Sequence, residues 1–280
     1  MTVGRNEMKL SCLPVSLFQD MISGKLSIAE WASYAKQLGL DGIDLSVLCI
    51  KNRTPVCVDA ARKALDDAGM RCVMITTYPD FTHPDRLYRE RELAFAAADT
   101  ALAYALGADY LRITAGQCHE LSDEDKALRI VKEYFLRLQE TSDKFGVRLL
   151  FENHSKPGAW EKPDYLFDTR RFLKFAEMVK DTDVRINFDT ANTIADGEDA
   201  LEVFKAVLPQ VETIHVNDLK APHCLDFVVC GCGIAPIQQI FREAKKAGFD
   251  GWVCIEEAGF KGFEGIAQAV EFTRRAWDSA

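Results

Sequence analysis

Four strand-like runs of this chain each carry a residue able to bind a divalent metal near their end: Glu152 in LLFENHS, Asp189 in INFDTAN, His215 in TIHVNDLK and Glu256 in WVCIEEAG. Carboxylates and an imidazole from four separate strands make a hard-cation site with open positions, suited to Mn2+, Mg2+, Co2+ or Zn2+, with geometry choosing among them. Within a strand, side chains two apart share a face. Glu152 therefore faces with His154, Asn187 with Asp189, and His215 with Asn217.

Such residues need a scaffold that gathers strand ends. Strand-like runs fall at 8–15, 42–47, 71–79, 109–115, 147–154, 184–190, 211–217 and 251–257. Amphipathic helical segments alternate with them at 28–38, 56–68, 86–106, 123–145, 168–180, 198–208, 235–247 and 264–278. Ser27 and Glu30 form a capping box, and Ser122 stands as an N-cap before an acidic first turn. Glycines 39, 69, 107, 146 and 248 each stop a helix ahead of the next strand. Eight strands alternating with eight helices predict a parallel sheet, most economically closed as a (β/α)8 TIM barrel spanning 1–280 as one domain. An open doubly wound sheet is the alternative, but CLPVSLFQD after the first strand lacks the glycine fingerprint of dinucleotide folds. Barrel active sites lie at the C-terminal ends of the strands, where the four candidate ligands sit.

Composition narrows the function. A formal charge of −9 argues against a nucleic-acid partner, whose backbone is met by Lys and Arg. No apolar run is long enough to span a bilayer, and the first twenty residues lack the pattern of a signal peptide, so no membrane partner is expected. The nine cysteines are scattered and fit a reduced cytoplasm. Cys230 and Cys232 lack a second pair at zinc-finger spacing and are expected to be structural.

The motifs LGLDGIDL (38–45), LFENH (150–154), INFDTAN (186–192) and IHVNDLK (214–220), with CGCGIAPIQQIFREAKKAGFDGWVCIEEAG (230–259), resemble those of the xylose-isomerase-like TIM barrels. This sugar phosphate isomerase/epimerase superfamily includes ketose 3-epimerases, inosose dehydratases and endonuclease IV. The resemblance implies that Glu152, Asp189, His215 and Glu256 bind one divalent metal ion, with Mn2+ the first choice. In the ketose 3-epimerase branch the two glutamates also do acid/base work on opposite faces of the substrate. The implied function is a metal-dependent isomerase or epimerase of a ketose or related sugar, acting by proton abstraction through an enediolate. The alternatives are a metal-dependent lyase or dehydratase acting on a keto-sugar, inosose or C-glycoside, and, further off, a sugar-binding barrel without turnover or an AP endonuclease. The partner is a small sugar or polyol, and a homo-oligomer is compatible with the sequence.

Departures bear on the substrate. Asn192 stands where the epimerase branch carries a histidine, and Lys220 stands near where an arginine often follows. With Asn192 in place of a ligand and no D-x-H after His215, the three-metal cluster of endonuclease IV is incomplete. Around the mouth, His154, Asn192, Arg112, Lys220 and His83 are the candidate substrate contacts, and Asp218 is a candidate to hold the ring of His215 from behind. Tyr78 and Trp160 lie in loops that could cover the site. Asp44, ending the second strand, is a candidate for hydrogen bonding at the mouth. The Gly231/Gly233 turn could cradle a phosphate, although tight loop geometry is the stronger reason for those glycines.

Overall fold

The computed structural model describes residues 7–120 and 123–280. The strands are β1 (Lys9–Leu13), β2 (Gly42–Ser46), β3 (Arg71–Thr76), β4 (Tyr110–Ile113), β5 (Arg148–Glu152), β6 (Arg185–Asp189), β7 (Val211–Val216), β8 (Asp218–Leu219), β9 (Phe227–Val228) and β10 (Trp252–Glu256). Eight of them form one parallel sheet in the order β1-β10-β7-β6-β5-β4-β3-β2. β8 and β9 make a separate antiparallel hairpin after β7.

The sheet curls until its outer strands meet. At the β1–β2 seam, the Asp41 amide donates to the Leu10 carbonyl at 2.9 Å. The Leu10 amide in turn donates to Asp41 Oδ2, also at 2.9 Å. A side chain thus supplies an acceptor that a regular ladder would draw from backbone, and the barrel closes.

Around the sheet lie α1 (Phe18–Ser23), α2 (Ile28–Gln37), α3 (Pro55–Ala68), α4 (Arg86–Ala105), α5 (Glu124–Phe145), α6 (Thr169–Val179), α7 (Asn192–Asp196), α8 (Ala200–Val207), α9 (Ile237–Lys246) and α10 (Gly262–Asp278). The Ser27/Glu30 capping box forms with both of its bonds. Ser122 lies outside the described residues, and the cap at α5 is Asp123, whose side chain accepts from the Lys126 amide. The five helix-ending glycines all adopt positive φ. Two short helices, α1 and α7, add to the eight expected, because five or six residues are too few to show a helical period in sequence.

Alternation along each strand divides the interior in two. Leu10, Ile43, Ile75, Leu111, Phe151, Phe188, Ile214 and Val253 are buried members of the continuous apolar core packed with the helices. Phe135, Phe151 and Phe175 pack there with ring centroids 5.1–6.3 Å apart, fixing α5 and α6 over β5. The alternate positions hold many polar groups that are equally buried, among them Ser11, Asp44, Thr76, Arg112, Asn187, Thr213 and His215. The apolar half of each strand stabilises the barrel, and the other half is free to carry chemistry.

Candidate metal and active site

Register brings the four strand-end residues together. Glu152 lies opposite Asn187 on β6, two residues below Asp189. Asp189 lies opposite His215, and His215 opposite Cys254, two residues below Glu256. One ligand atom from each of Glu152, Asp189, His215 and Glu256 falls within 4.8 Å of all the others. His215 Nδ1 is 2.7 Å from Glu256 Oε2 and 3.6 Å from Glu152 Oε1. Asp189 and His215 are fully buried and Glu152 nearly so, whereas the Glu256 side chain is 13% exposed, so the cluster opens on the Glu256 side.

Each ligand is aimed by its neighbours. Asp189 Oδ1 accepts from the amides of Ala191 and Asn192 at 2.8 and 2.7 Å, which leaves Oδ2 buried and unpartnered. The Asn153 side chain clips β5 to β6, donating to the Asp189 carbonyl and accepting from the Asp189 amide. Arg112 Nε lies 3.1 Å from Glu152 Oε2, a buried charge contact without hydrogen-bond alignment. The Arg112 guanidinium also sits over the Tyr78 ring, 5.2 Å from its centroid. The Tyr78 hydroxyl is held by Ser46 Oγ and Thr76 Oγ1.

Electrostatics show what the cluster lacks. Burial pushes the Asp189 carboxyl well above its ordinary range, and the adjacent Glu256 and Glu152 push it the same way. Burial alone would also raise Glu152, but His215 and Arg112 outweigh it and hold that carboxyl low. Burial would lower His215, yet Cys254 and Glu152 raise it well above the usual imidazole value. Glu152 and Asp189 have buried oxygens that no protein donor satisfies, and Glu256 Oε2 meets only the His215 ring nitrogen. Such a set fits a divalent cation, since buried charges persist when paired or coordinated to metal.

The other candidates divide. His154 is buried with Nδ1 unpartnered, and burial followed by the Arg112 charge lowers it to about 4, so its ring is neutral. Asn192 is buried at the start of α7, its amide bound to Asp189 and its Oδ1 unpartnered. Arg112, His154 and Asn192 thus border the cluster. Lys220 does not: its side chain is 73% exposed on the hairpin, 3.6 Å from Asp226. His83 stacks on Tyr88 at 3.8 Å and accepts from the Asp85 amide, in a loop bordered by His119. Trp160 and Tyr78 line a separate cavity of about 560 Å3 with Leu48, Arg53 and Phe95.

Asp218 has a different task from the one expected. It lies three residues beyond His215, an odd step that turns it from the His215 face. Its Oδ2 accepts from Gly231 and Gly233 at 2.9 and 2.8 Å, and its Oδ1 from Leu219 and Ala235 at 3.0 and 2.9 Å. The amides that could have cradled a phosphate therefore cradle this carboxylate. A Cβ at Gly233 would lie 2.3 Å from Asp218 Oδ1, so glycine is required for the approach. Asp164 is a site neighbour that has no sequence signal, because it lies in the irregular loop before α6. It is buried with Oδ2 unpartnered, and the charges of Arg112 and Glu152 reach it.

Comparison with known proteins agrees with this architecture. The chain is 26% identical over 250 residues to a Streptomyces coelicolor protein named as a hydroxypyruvate isomerase, covering 83% of this chain and 86% of that one. It is 23% identical over 198 residues to an inosose dehydratase of Lacticaseibacillus casei, covering 60% and 63% respectively. The D-psicose 3-epimerase of Clostridium cellulolyticum H10, solved with D-tagatose, shares the fold with a TM-score of 0.75 at 13% identity, over 96% of this chain and 99% of that one. The two relatives are named as an isomerase and a dehydratase, and the epimerase structure shares the fold. The model of the xylose isomerase-like TIM barrel family matches residues 32–276, and the chain belongs to that family.

Proposed function

We propose that the protein is a divalent-metal-dependent isomerase or epimerase of a ketose or related sugar, working as one barrel unit over 1–280. The observation that carries this reading is the convergence of Glu152, Asp189, His215 and Glu256 within 4.8 Å. Those four residues would hold the ion, and Mn2+ is our first assignment for a set of carboxylates with one imidazole. When bound, the ion supplies Lewis-acid stabilisation of charge developing on substrate oxygens during enediolate formation.

The chain's own residues supply the rest. Glu152 stays ionised because His215 and Arg112 outweigh its burial, so it can accept a carbon-bound proton. Glu256, at the open side, is placed to return a proton from the other face. Arg112, His154 and Asn192 offer buried polar atoms without protein partners to the substrate's oxygens. The nine free cysteines, four of them buried, support a reducing cytoplasm as the setting.

Metal analysis of purified protein should find about one equivalent of divalent ion. Glu152→Gln and Glu256→Gln should each lower turnover by about 100- to 10,000-fold while the circular dichroism spectrum is kept. Full activity in both variants would sink the acid/base assignment. Solvent deuterium entering a panel of ketoses without loss of material supports isomerisation. The second reading, a dehydratase, is favoured by His154, whose buried Nδ1 has no protein partner and borders the cluster. A UV-absorbing enone in place of exchange would select it.

A further inference from the structure

His215 is engaged on one edge only. Nδ1 faces the two glutamates, whereas Nε2, on the opposite edge of the ring, is buried and has no hydrogen-bond partner. Asp44, in the middle of β2, is fully buried, and neither of its carboxylate oxygens has a partner. Buried polar groups without partners are costly, and a proton on Nε2 is what the Asp44 carboxylate lacks.

They are close enough to meet. A ring nitrogen of His215, a carboxylate oxygen of Asp44 and the sulfur of Cys254 all lie within 4.8 Å of one another. The ladder explains the grouping. Cys254 lies directly opposite His215 between β10 and β7, and Ser11 of β1 lies opposite Cys254. The closed seam then brings β2, with Asp44, to the far side of β1. With Nδ1 committed to the glutamates, Nε2 is left facing Cys254 and Asp44.

We propose that Asp44, with the Cys254 thiol beside it, takes the Nε2–H of His215 and so fixes the tautomer whose Nδ1 lone pair is offered to the cation. Asp44 is a positioning residue in this arrangement, the role first expected of Asp218. A carboxylate behind a ligating imidazole orients the ring and raises its basicity. The inference rests on the metal-binding reading above.

The test uses the isosteric Asp44→Asn variant of the full chain. Calorimetric titration with Mn2+ should show affinity weakened about 10- to 100-fold, the usual effect of losing such a support. Thermal melting of the metal-free variant should be little changed, because the isosteric amide fills the same space in the core. Histidine NMR of the Zn2+-loaded wild type should show the His215 Nε2–H proton shifted downfield by a carboxylate acceptor, and this shift should be lost in the variant. Cys254→Ala should weaken Mn2+ binding less than Asp44→Asn does.

Mn2+ affinity within about threefold of wild type, with the downfield shift retained, overturns the proposal. So does a lower melting temperature with unchanged affinity, which would make Asp44 merely structural. A larger effect at Cys254 would give the acceptor role to sulfur, and a second metal equivalent lost in both variants would make the trio a binding site of its own; either result overturns the proposal as stated. Failure of the wild type itself to take up Mn2+ would instead remove the metal-centre reading on which it rests.

Discussion

Under the proposed metal-binding reading, Asp189 and His215 would make metal uptake a proton exchange. Burial, then Glu256 and Glu152, raise the Asp189 carboxyl, and Cys254 and Glu152 raise His215 against the effect of its burial. Both shifts run upward, so without a cation each group retains protons to higher pH than usual. A divalent ion needs the carboxylate ionised and the imidazole neutral, and must displace those protons. Apparent metal affinity should therefore rise with pH through the neutral range, with proton release on binding. Titration in buffers of different ionisation enthalpy measures the release, and zero net protons near neutral pH would contradict the arrangement. Asp189→Asn should reduce the number released. At this scale Glu152, Asp189, His215 and Glu256 were legible because strand alternation placed each on an inward face. Asp218 was misassigned, although its odd spacing from His215 already turned it away.

The loop after β7 is organised by one carboxylate. Asp218 gathers the amides of Leu219, Gly231, Gly233 and Ala235, tying the β8–β9 hairpin to the entry of α9. Asp218→Ala would strand one buried and three partly buried amides and should destabilise the fold by about 2–5 kcal/mol, given about 1–3 kcal/mol for each unsatisfied buried group. Urea unfolding gives the value, and a loss below about 1 kcal/mol would show that water replaces the carboxylate without penalty. Other contacts at this scale left no trace in the sequence. Asn153 sits between two site residues, but its work is to bridge β5 to β6, which requires knowing that those strands are neighbours. Asp164 lies in a long irregular segment where no period indicates which way a side chain faces.

For the molecule as a whole, the polar axis of the barrel is where stability and function meet. A ligand that binds only the folded state stabilises by mass action, about 2.7 kcal/mol at a free concentration of 100 Kd. For a chain of this size that corresponds to a rise in Tm of about 4–8 °C. Differential scanning calorimetry with Mn2+ and then with excess chelator should show the rise and its reversal. A melting temperature indifferent to both would count against a cation at the axis. The barrel itself was readable because eight strand periods alternate with helical ones, and a parallel sheet so built closes on itself. Its seam was not readable, since Asp41 bonding to Leu10 depends on the first and second strands meeting after the whole sheet has curled.

The sequence by itself determined the alternating elements, the inward face of each strand and the four strand-end residues whose types suit a divalent ion. These follow from local periodicity and side-chain chemistry, which act over a few neighbouring residues. The tertiary structure alone decided which groups surround them. It placed Arg112 against Glu152 and Asp44 with Cys254 against His215, and it carried Lys220 out to the surface. Those outcomes depend on sheet register and barrel closure, which bring together residues scores of positions apart and leave no local pattern in the chain.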